Sequence, residues 1–295
     1  MPARPRLLLT GKNGQVGWEL QRTLAPLGEV IALGSQELDL RDPAAIRATL
    51  RELQPAIVVN PAAHTAVDRA ETERDAAFAI NATAPGVLAE EAARLGALLV
   101  HYSTDYVFDG TKTCAYTEND APNPLNVYGA SKLAGERAIA ATGCRHLILR
   151  TSWVYGARGG NFLLTMLRLG KERDELSIVN DQTGAPTWSR AIAETTAQIL
   201  AQRHTWPQGA GGVYHLACGG ETTWFGFAQA IFAHAQKAPR LVPITSADYP
   251  LPARRPANSR LDCRRLEEDF GLAPPDWRQA LRLCLEEPAL SGRGT

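Results

Sequence analysis

The sequence lacks the features that mark secreted and membrane proteins. Its five cysteines are an odd number and form no C-x-x-C pair, so a complete disulfide framework is not predicted. The apolar run at residues 7–9 is too short for the core of a signal peptide. No apolar run approaches the length of a transmembrane helix. We therefore expect reduced, packed thiols and a cytoplasmic protein.

An excess of charge of either sign is also missing. The chain has 31 basic and 31 acidic residues and a pI near 7.0, so nothing indicates a general affinity for nucleic acid or for an anionic membrane surface. With 295 residues, it can bury a substantial core in one large or two modest domains. We expect the partner to be a small molecule.

The most informative stretch covers residues 98–133. It opens with a short apolar run at 98–102, typical of a buried strand, and Thr104 follows at the strand's carboxyl end. A polar loop then leads into a helical pattern that contains Tyr128 and Lys132, four residues apart and so on the same helix face. A Tyr-x-x-x-Lys spacing arises by chance in roughly one such chain in eight, and an exposed aromatic–lysine pair on a helix is the alternative. Thr104 strengthens the signal, because open α/β sheets bind ligands just outside the carboxyl ends of their strands.

A glycine-rich turn follows the first predicted strand, at residues 6–10. The turn, GKNGQVG at 11–17, leads into an amphipathic helix. Glycines at such a turn let the backbone approach a pyrophosphate, which then lies against the free N–H groups of the helix N-terminus. We expect Gly11, Gly14 and Gly17 to shape a dinucleotide site, the alternative being an ordinary flexible βα turn.

The ends of the next two predicted strands bear on the choice of cofactor. The strand at 29–33 ends at Gly34, where an NAD-selective site usually holds an acid for the ribose hydroxyls. Asp39 is the next acidic candidate, although a loop or helix-cap carboxylate explains it equally well. The strand at 56–60 runs into small residues, where a cofactor can lie close, and His64 there is interpreted as structural or cofactor-lining.

Strands alternate with helical segments through the first half of the chain. This pattern predicts an α/β protein with a Rossmann-like, doubly wound parallel sheet. We assign residues 1–150 to an NAD(P)-binding domain, completed by some later segments. Residues 151–295, where glycines and prolines are closer together, are assigned mainly to a smaller substrate-binding lobe.

Two features of the second half are candidates for binding substrate. Trp153 follows a predicted strand and could form a wall of the substrate site or belong to the core. Arg254, Arg255 and Arg260 could clamp a diphosphate through forked hydrogen bonds, and a solvated charged loop is about as plausible.

Taken together, these residues resemble the extended short-chain dehydrogenase/reductases that act on nucleotide-sugars, and most closely the dTDP-4-dehydrorhamnose reductase family. The resemblance covers nearly the whole chain. It is carried by GQVGWELQ from Gly14, AAHTAVD from Ala62, HYSTDYVF from His101, PLNVYG from Pro124, RTSWVY from Arg150, NDQ from Asn180 and ARRP from Ala253.

The resemblance implies NAD(P)H-dependent reduction of the 4-keto group of dTDP-4-dehydro-β-L-rhamnose, the last step in making dTDP-L-rhamnose. Thr104, Asp105 and Trp153 would then face the sugar, while Tyr128 and Lys132 would touch both sugar and cofactor. By position, the cofactor would be lined by Gly14, Gln15, Val16, Asp39, Leu40, Ala63, His64 and Thr65. We expect Tyr128 to donate the proton, Lys132 to lower the pKa of Tyr128, and Thr104 to hold the carbonyl in line.

Gly34 departs from family members that have an acid at this position, so we expect NADPH to be used at least as well as NADH. Some relatives are magnesium-linked homodimers; Glu286 and Glu287 are available carboxylates, but the sequence itself defines no metal site. Other nucleotide-sugar reductases, epimerases or dehydratases of the superfamily are alternatives. A dehydratase would carry a glutamate where Tyr106 stands. A non-catalytic NADP-binding regulatory subunit, like that of methionine adenosyltransferase, is disfavoured by the complete Thr104, Tyr128 and Lys132 set.

Overall fold

The computed structural model describes residues 4–235 and 237–291, and all statements below concern these ranges. The strands are β1 Arg6–Leu9, β2 Glu29–Ala32, β3 Ile57–Asn60, β4 Leu98–Thr104, β5 His146–Thr151, β6 Val154–Tyr155, β7 Glu175–Val179, β8 Thr183–Gly184, β9 Thr187–Trp188, β10 Gly212–His215, β11 Thr222–Thr223 and β12 Arg240–Ile244. The helices are α1 Gln15–Thr23, α2 Pro43–Leu53, α3 Val67–Ala70, α4 Arg74–Phe78, α5 Ala84–Leu95, α6 Val127–Ala141, α7 Phe162–Glu172, α8 Ser189–Ala201, α9 Trp224–Phe232, α10 Arg264–Phe270, α11 Trp277–Leu285 and α12 Pro288–Ser291.

Six strands form one parallel sheet in the order β10-β5-β4-β3-β1-β2. The order reverses between β1 and β3, so loops leave in opposite directions there and open a crevice at the carboxyl edge. The predicted doubly wound fold is confirmed. Strand β10 and helix α8, which packs on α1, come from the second half of the chain and complete this unit.

Alternate residues of the central strands point to opposite faces of the sheet, and both faces are covered. Leu7 and Leu9 enter a core cluster with residues of α1, α8 and α10. Leu8 and Leu99 point the other way and pack with α2 and α5. Burial on both faces explains why these strands read as continuous apolar runs rather than as alternating ones.

Helix α6 crosses the sheet very close to the end of β4. It begins where the Asn126 side chain accepts a hydrogen bond from the Gly129 N–H at 2.8 Å. Gly129 is required at this contact, because a Cβ there would collide with the backbone oxygen of Tyr106. The first turn of α6 is thereby held against the carboxyl end of the strand.

Helices α4 and α5 are separated by a π-helical turn at Ala79–Thr83. Pro85 has no N–H to donate to the carbonyl of Asn81, four residues earlier, which explains why the regular ladder fails at this point. The same turn approaches α6 closely, since a Cβ at Gly135 would collide with the Asn81 backbone oxygen.

Elements from the second half of the chain form a smaller lobe around a separate core of α7, α9 and α11, in which Phe227 and Trp277 are almost fully buried. In the described ranges, no helix combines the length and apolar character needed to cross a membrane. The five cysteines are free thiols. The expectation that all are packed is wrong for Cys114, which is exposed.

Candidate functional site

A cleft of about 1060 Å³ runs along the carboxyl edge of the sheet. It brings together every residue that the sequence analysis assigned to the cofactor: Gly11, Gly14, Gln15, Val16, Gly17, Asp39, Leu40, Ala63, His64, Thr65, Tyr128 and Lys132. Thr104, Asp105 and Trp153 line the same cleft. Only the three arginines of the 254–260 loop are missing from its described lining.

The glycine turn fits a bound pyrophosphate. Gly11 has a φ of +59°, a backbone conformation that favours glycine. A Cβ at Gly17 would collide with the Gly11 carbonyl, so helix α1 can start this close to the strand only without a side chain. Gly14 caps α1 without any side-chain hydrogen bond to the helix. The first N–H groups of α1 therefore face the cleft as an anion-binding site.

Charged side chains near the end of β2 form ion pairs with one another. Lys12 Nζ lies 2.6 Å from Glu37 Oε1, and the Gly34 N–H donates to Glu37 Oε2 at 2.8 Å. Two nitrogens of Arg41 donate hydrogen bonds to Asp39, which lowers the pKa of that carboxyl to about 2. The sequence analysis found no acid at the end of β2, yet the loop folds back and places the Glu37 carboxylate beside Gly34.

Thr104, Tyr128 and Lys132 converge because β4 ends against the first turns of α6. Thr104 is the last residue of β4, and both other residues lie on α6, one turn apart. Thr104 is 5% exposed and Lys132 only 2%. The Thr104 hydroxyl donates to Asp105 Oδ1 at 2.9 Å. The sequence prediction that these groups meet at the cleft agrees with their placement.

The pKa of Tyr128 differs from the expectation. Burial raises it to about 12, and a hydrogen bond with Thr104 opposes that shift only in part. Lys132 is not among the groups that set it. The prediction that Lys132 lowers the pKa of Tyr128 is therefore wrong for this structure, because exclusion of water penalises the phenolate more than its neighbours stabilise it.

The ammonium of Lys132 is itself destabilised. Burial lowers the pKa of Lys132 to about 8, and the negative charge of Glu136, one turn further along α6, acts in the opposite direction. The hydrogen bond described for Lys132 Nζ goes to Nε2 of His101, at 3.2 Å. The sequence analysis did not single out His101, although a histidine within an otherwise apolar buried strand is a detectable signal.

Asp105 and Tyr106 line the cleft beside Thr104. Burial raises the pKa of Asp105 to about 6 against the hydrogen bonds of Ser259 and Thr104. Where a dehydratase would present a glutamate, the ring of Tyr106 packs edge-on against Tyr128, with centroids 5.8 Å apart. No carboxylate stands at that position to serve an elimination.

Trp153 has a φ of +48°, an uncommon conformation for a bulky residue. Its ring stacks on Trp224 at a centroid distance of 3.7 Å and covers Gly184, where a Cβ would lie 2.6 Å from the indole. The Trp224 indole N–H donates to Gln182 at 3.1 Å, which anchors the stack. Trp153, which lines the cleft, is thus held by neighbours that the sequence did not reveal.

The three arginines do not converge on an open diphosphate site in this structure. Arg255 forms a forked pair with Asp68, at 2.7 and 3.1 Å. Arg260 pairs with Glu221 at 2.6 Å, and Arg254 is exposed. Two of the three guanidinium groups thus bind carboxylates in this structure, and their contact with a diphosphate stays a prediction.

The carboxylates near the C-terminus do not form a metal site within one chain. Glu286 lies 3.4 Å from Arg282, and Glu287 lies 3.8 Å from Arg190. Over the part of the chain that the structure describes, no group of three or more His, Cys, Asp or Glu side chains could hold a metal ion. Magnesium stays an expectation from the resemblance alone, and we derive no step through a metal.

Comparison with known proteins places this arrangement among sugar-nucleotide enzymes. The family model described as RmlD substrate binding domain matches residues 5–289. The dTDP-4-dehydrorhamnose reductase of Burkholderia thailandensis is 52% identical over 294 residues, covering 96% of this chain and 98% of the relative. That of Escherichia coli K12 is 47% identical over 291 residues, covering 95% and 97%. The crystal structure of dTDP-4-dehydrorhamnose reductase from Bacillus anthracis in complex with NADP has a TM-score of 0.90 and 37% identity, covering 96% of this chain and 99% of that one.

Proposed function

Because the chain belongs to the RmlD substrate binding domain family, we propose that it is an NADPH-dependent reductase of dTDP-4-dehydro-β-L-rhamnose, which yields dTDP-L-rhamnose. The observation that carries the proposal is the single cleft shared by the glycine turn, Thr104, Tyr128 and Lys132. It joins a dinucleotide site to a proton donor, which are the two parts that a carbonyl reductase needs.

The residues present fit NADPH. The glycine turn and the uncapped N-terminus of α1 would hold the pyrophosphate. The small residues Ala62 and Ala63 leave room beside it. Lys132 would donate to the nicotinamide ribose from the floor of the cleft. When bound, NADPH supplies the hydride that reduces C4 of the sugar.

Tyr128 then serves as the acid. A pKa of about 12 keeps it protonated at neutral pH, so it is always in the form that can donate. The alkoxide that would develop on O4 is a strong base, so it can take a proton from a phenol held within hydrogen-bond reach. Tyr128 can therefore supply this proton in the form in which it is already present. Lowering the pKa of Tyr128 is not a requirement for this direction of reaction.

Thr104 and Trp153 would position the sugar. Thr104 Oγ1 lies at the carboxyl end of β4, beside Tyr128, and can bond O4 while Tyr128 approaches the same atom. Trp153, fixed by its stack on Trp224, would pack against a face of the sugar ring. The smaller lobe would supply the remaining contacts to the nucleotide.

The proposal is tested by mixing the protein with NADPH and dTDP-4-dehydro-β-L-rhamnose and following nicotinamide absorbance. We expect oxidation of NADPH that depends on the keto-sugar, with dTDP-L-rhamnose identified by NMR. A UDP-linked 4-keto-sugar serves as the control for recognition of the base. Binding of NADPH without any turnover of the dTDP-keto-sugar would instead favour a regulatory cofactor-binding role.

A further inference from the structure

A ladder of buried polar side chains crosses three strands beneath the cleft and ends on Lys132. Thr10 Oγ1 lies 2.5 Å from Asn60 Oδ1, and Asn60 Nδ2 lies 3.0 Å from His101 Nδ1. His101 Nε2 lies 3.2 Å from Lys132 Nζ. All four residues are 2% exposed or less. We call Thr10, Asn60 and His101 the polar ladder.

The sheet register builds the ladder. Asn60 stands opposite His101 across β3 and β4, and Thr10 directly follows Leu9, which pairs with Val59. The three side chains share the face of the sheet against which α6 packs, where Lys132 meets them. Thr10 also immediately precedes Gly11, so the ladder connects the glycine turn to the lysine.

We propose that His101 is a positioning residue for Lys132, held in place by Asn60 and Thr10, so that the cofactor turn and the lysine are aligned through one hydrogen-bonded chain. This inference rests on the proposed function, because it assigns Lys132 to the bound cofactor.

The number of N–H protons on the His101 ring supports its positioning role. Burial and the charge of Lys132 hold the pKa of His101 well below its usual range, so the ring is neutral. A neutral imidazole has one N–H and one acceptor nitrogen. When the Lys132 ammonium donates to Nε2, the ring N–H is on Nδ1 and donates to an oxygen of Asn60. When Lys132 is neutral, Nε2–H can donate to its amine and the Asn60 NH₂ donates to Nδ1. Rotation of the Asn60 amide thus lets the ladder satisfy both charge states of Lys132.

The charged neighbours of Lys132 set the direction of the expected effects. His101 faces it from β4, and Glu136 acts on it from α6 itself. Glu136 is in turn paired with Arg150 of β5. Replacing His101 with an apolar side chain removes the acceptor of the ammonium while Glu136 stays in place. The ammonium is then less stable, and Lys132 should lose its proton at lower pH.

The experiment measures the dissociation constant of NADPH by fluorescence from pH 6 to 10 in wild type and three variants. In wild type, binding should weaken as the pH rises through the pKa of Lys132, about 8. His101→Phe should move this midpoint down by about one pH unit and weaken binding at pH 7.5 several-fold. His101→Gln, whose amide oxygen can replace Nε2 as acceptor, should restore most of the wild-type midpoint and most of the affinity. Leu99→Ala, on the same strand and face but in the apolar core, should lower Tm and leave the midpoint unchanged.

The inference would be overturned if His101→Phe lowered Tm as Leu99→Ala does but kept the wild-type midpoint and affinity for NADPH. The ladder would then only satisfy buried polar groups. If His101→Phe does not fold, the pH midpoint of NADPH binding is measured for Asn60→Leu instead and judged by the same criterion. NADPH binding by wild type without reduction of the keto-sugar would contradict the proposed function alone. Absence of NADPH binding in wild type would overturn both the proposed function and the role of His101.

Discussion

Replacing Glu136 with glutamine should weaken the fold and shift the pH dependence of catalysis together. Glu136 binds Arg150 through two hydrogen bonds of 2.9 and 2.6 Å, and their side chains are only 5% and 4% exposed. Arg150 Nη1 already has no described partner. Glutamine therefore leaves an uncompensated guanidinium in the interior. Removing one member of a buried pair costs about 3–5 kcal/mol, so the free energy of unfolding should fall by that amount.

Glu136→Gln also affects Lys132, because it removes the negative charge of Glu136. Glu136 raises the pKa of Lys132 against the effect of burial, so Glu136→Gln should move the lysine-dependent limb of the pH–rate profile to lower pH. Urea unfolding at pH 7 measures the first effect, and kcat/KM from pH 6 to 10 measures the second. The double variant Glu136→Leu with Arg150→Met is the control, because replacing both charges should recover much of the stability but not the pH limb. A loss below about 1 kcal/mol, typical of exposed pairs, would refute the argument.

Three further predictions follow from the charged groups. Wild type should use NADPH at least as well as NADH, and Gly34→Asp, which adds a second carboxylate beside Glu37, should lower kcat/KM for NADPH relative to NADH; a strong wild-type preference for NADH would contradict this. Arg255→Ala and Asp68→Asn should lower stability similarly, by about 1 kcal/mol or less for this partly exposed pair, whereas a tenfold rise in the sugar KM for Arg255→Ala alone would support a diphosphate contact. Burial lowers the pKa of His215 to about 3, so below pH 6.5 the unfolded chain binds a proton there that the folded protein does not. Stability should therefore fall on acidification, and His215→Gln should remove about 2 kcal/mol of the loss between pH 7 and pH 5 in urea unfolding.

Local patterns in the sequence were sufficient to predict the parts of the site that depend on neighbouring residues along the chain. The glycine turn follows from strand and helix signals on either side of it, and the shared face of Tyr128 and Lys132 follows from helical spacing. Thr104 was found because a parallel sheet gathers its strand ends at one edge. Each of these inferences needs only the chain's immediate context.

Partners from distant parts of the chain were not predicted, because spacing does not encode them. The sequence gives no sign that Arg255 pairs with Asp68, which lies 187 residues earlier in the chain. The pKa of Tyr128 depends on burial, which outweighs the hydrogen bond with Thr104. The polar ladder under Lys132 arises from the β3–β4 register, which becomes visible only once the strands are paired.

The most direct test of the account is the single-turnover rate of Tyr128→Phe with saturating NADPH and keto-sugar. The substitution keeps the ring and its edge-on contact with Tyr106 and removes only the acidic proton. The account predicts that the rate of reduction falls by about 10²–10⁴, while the dissociation constants of NADPH and sugar stay within a few-fold of wild type. A variant that keeps more than about a tenth of the wild-type rate, with chemistry shown to be rate-limiting, would mean that a group other than Tyr128 protonates O4.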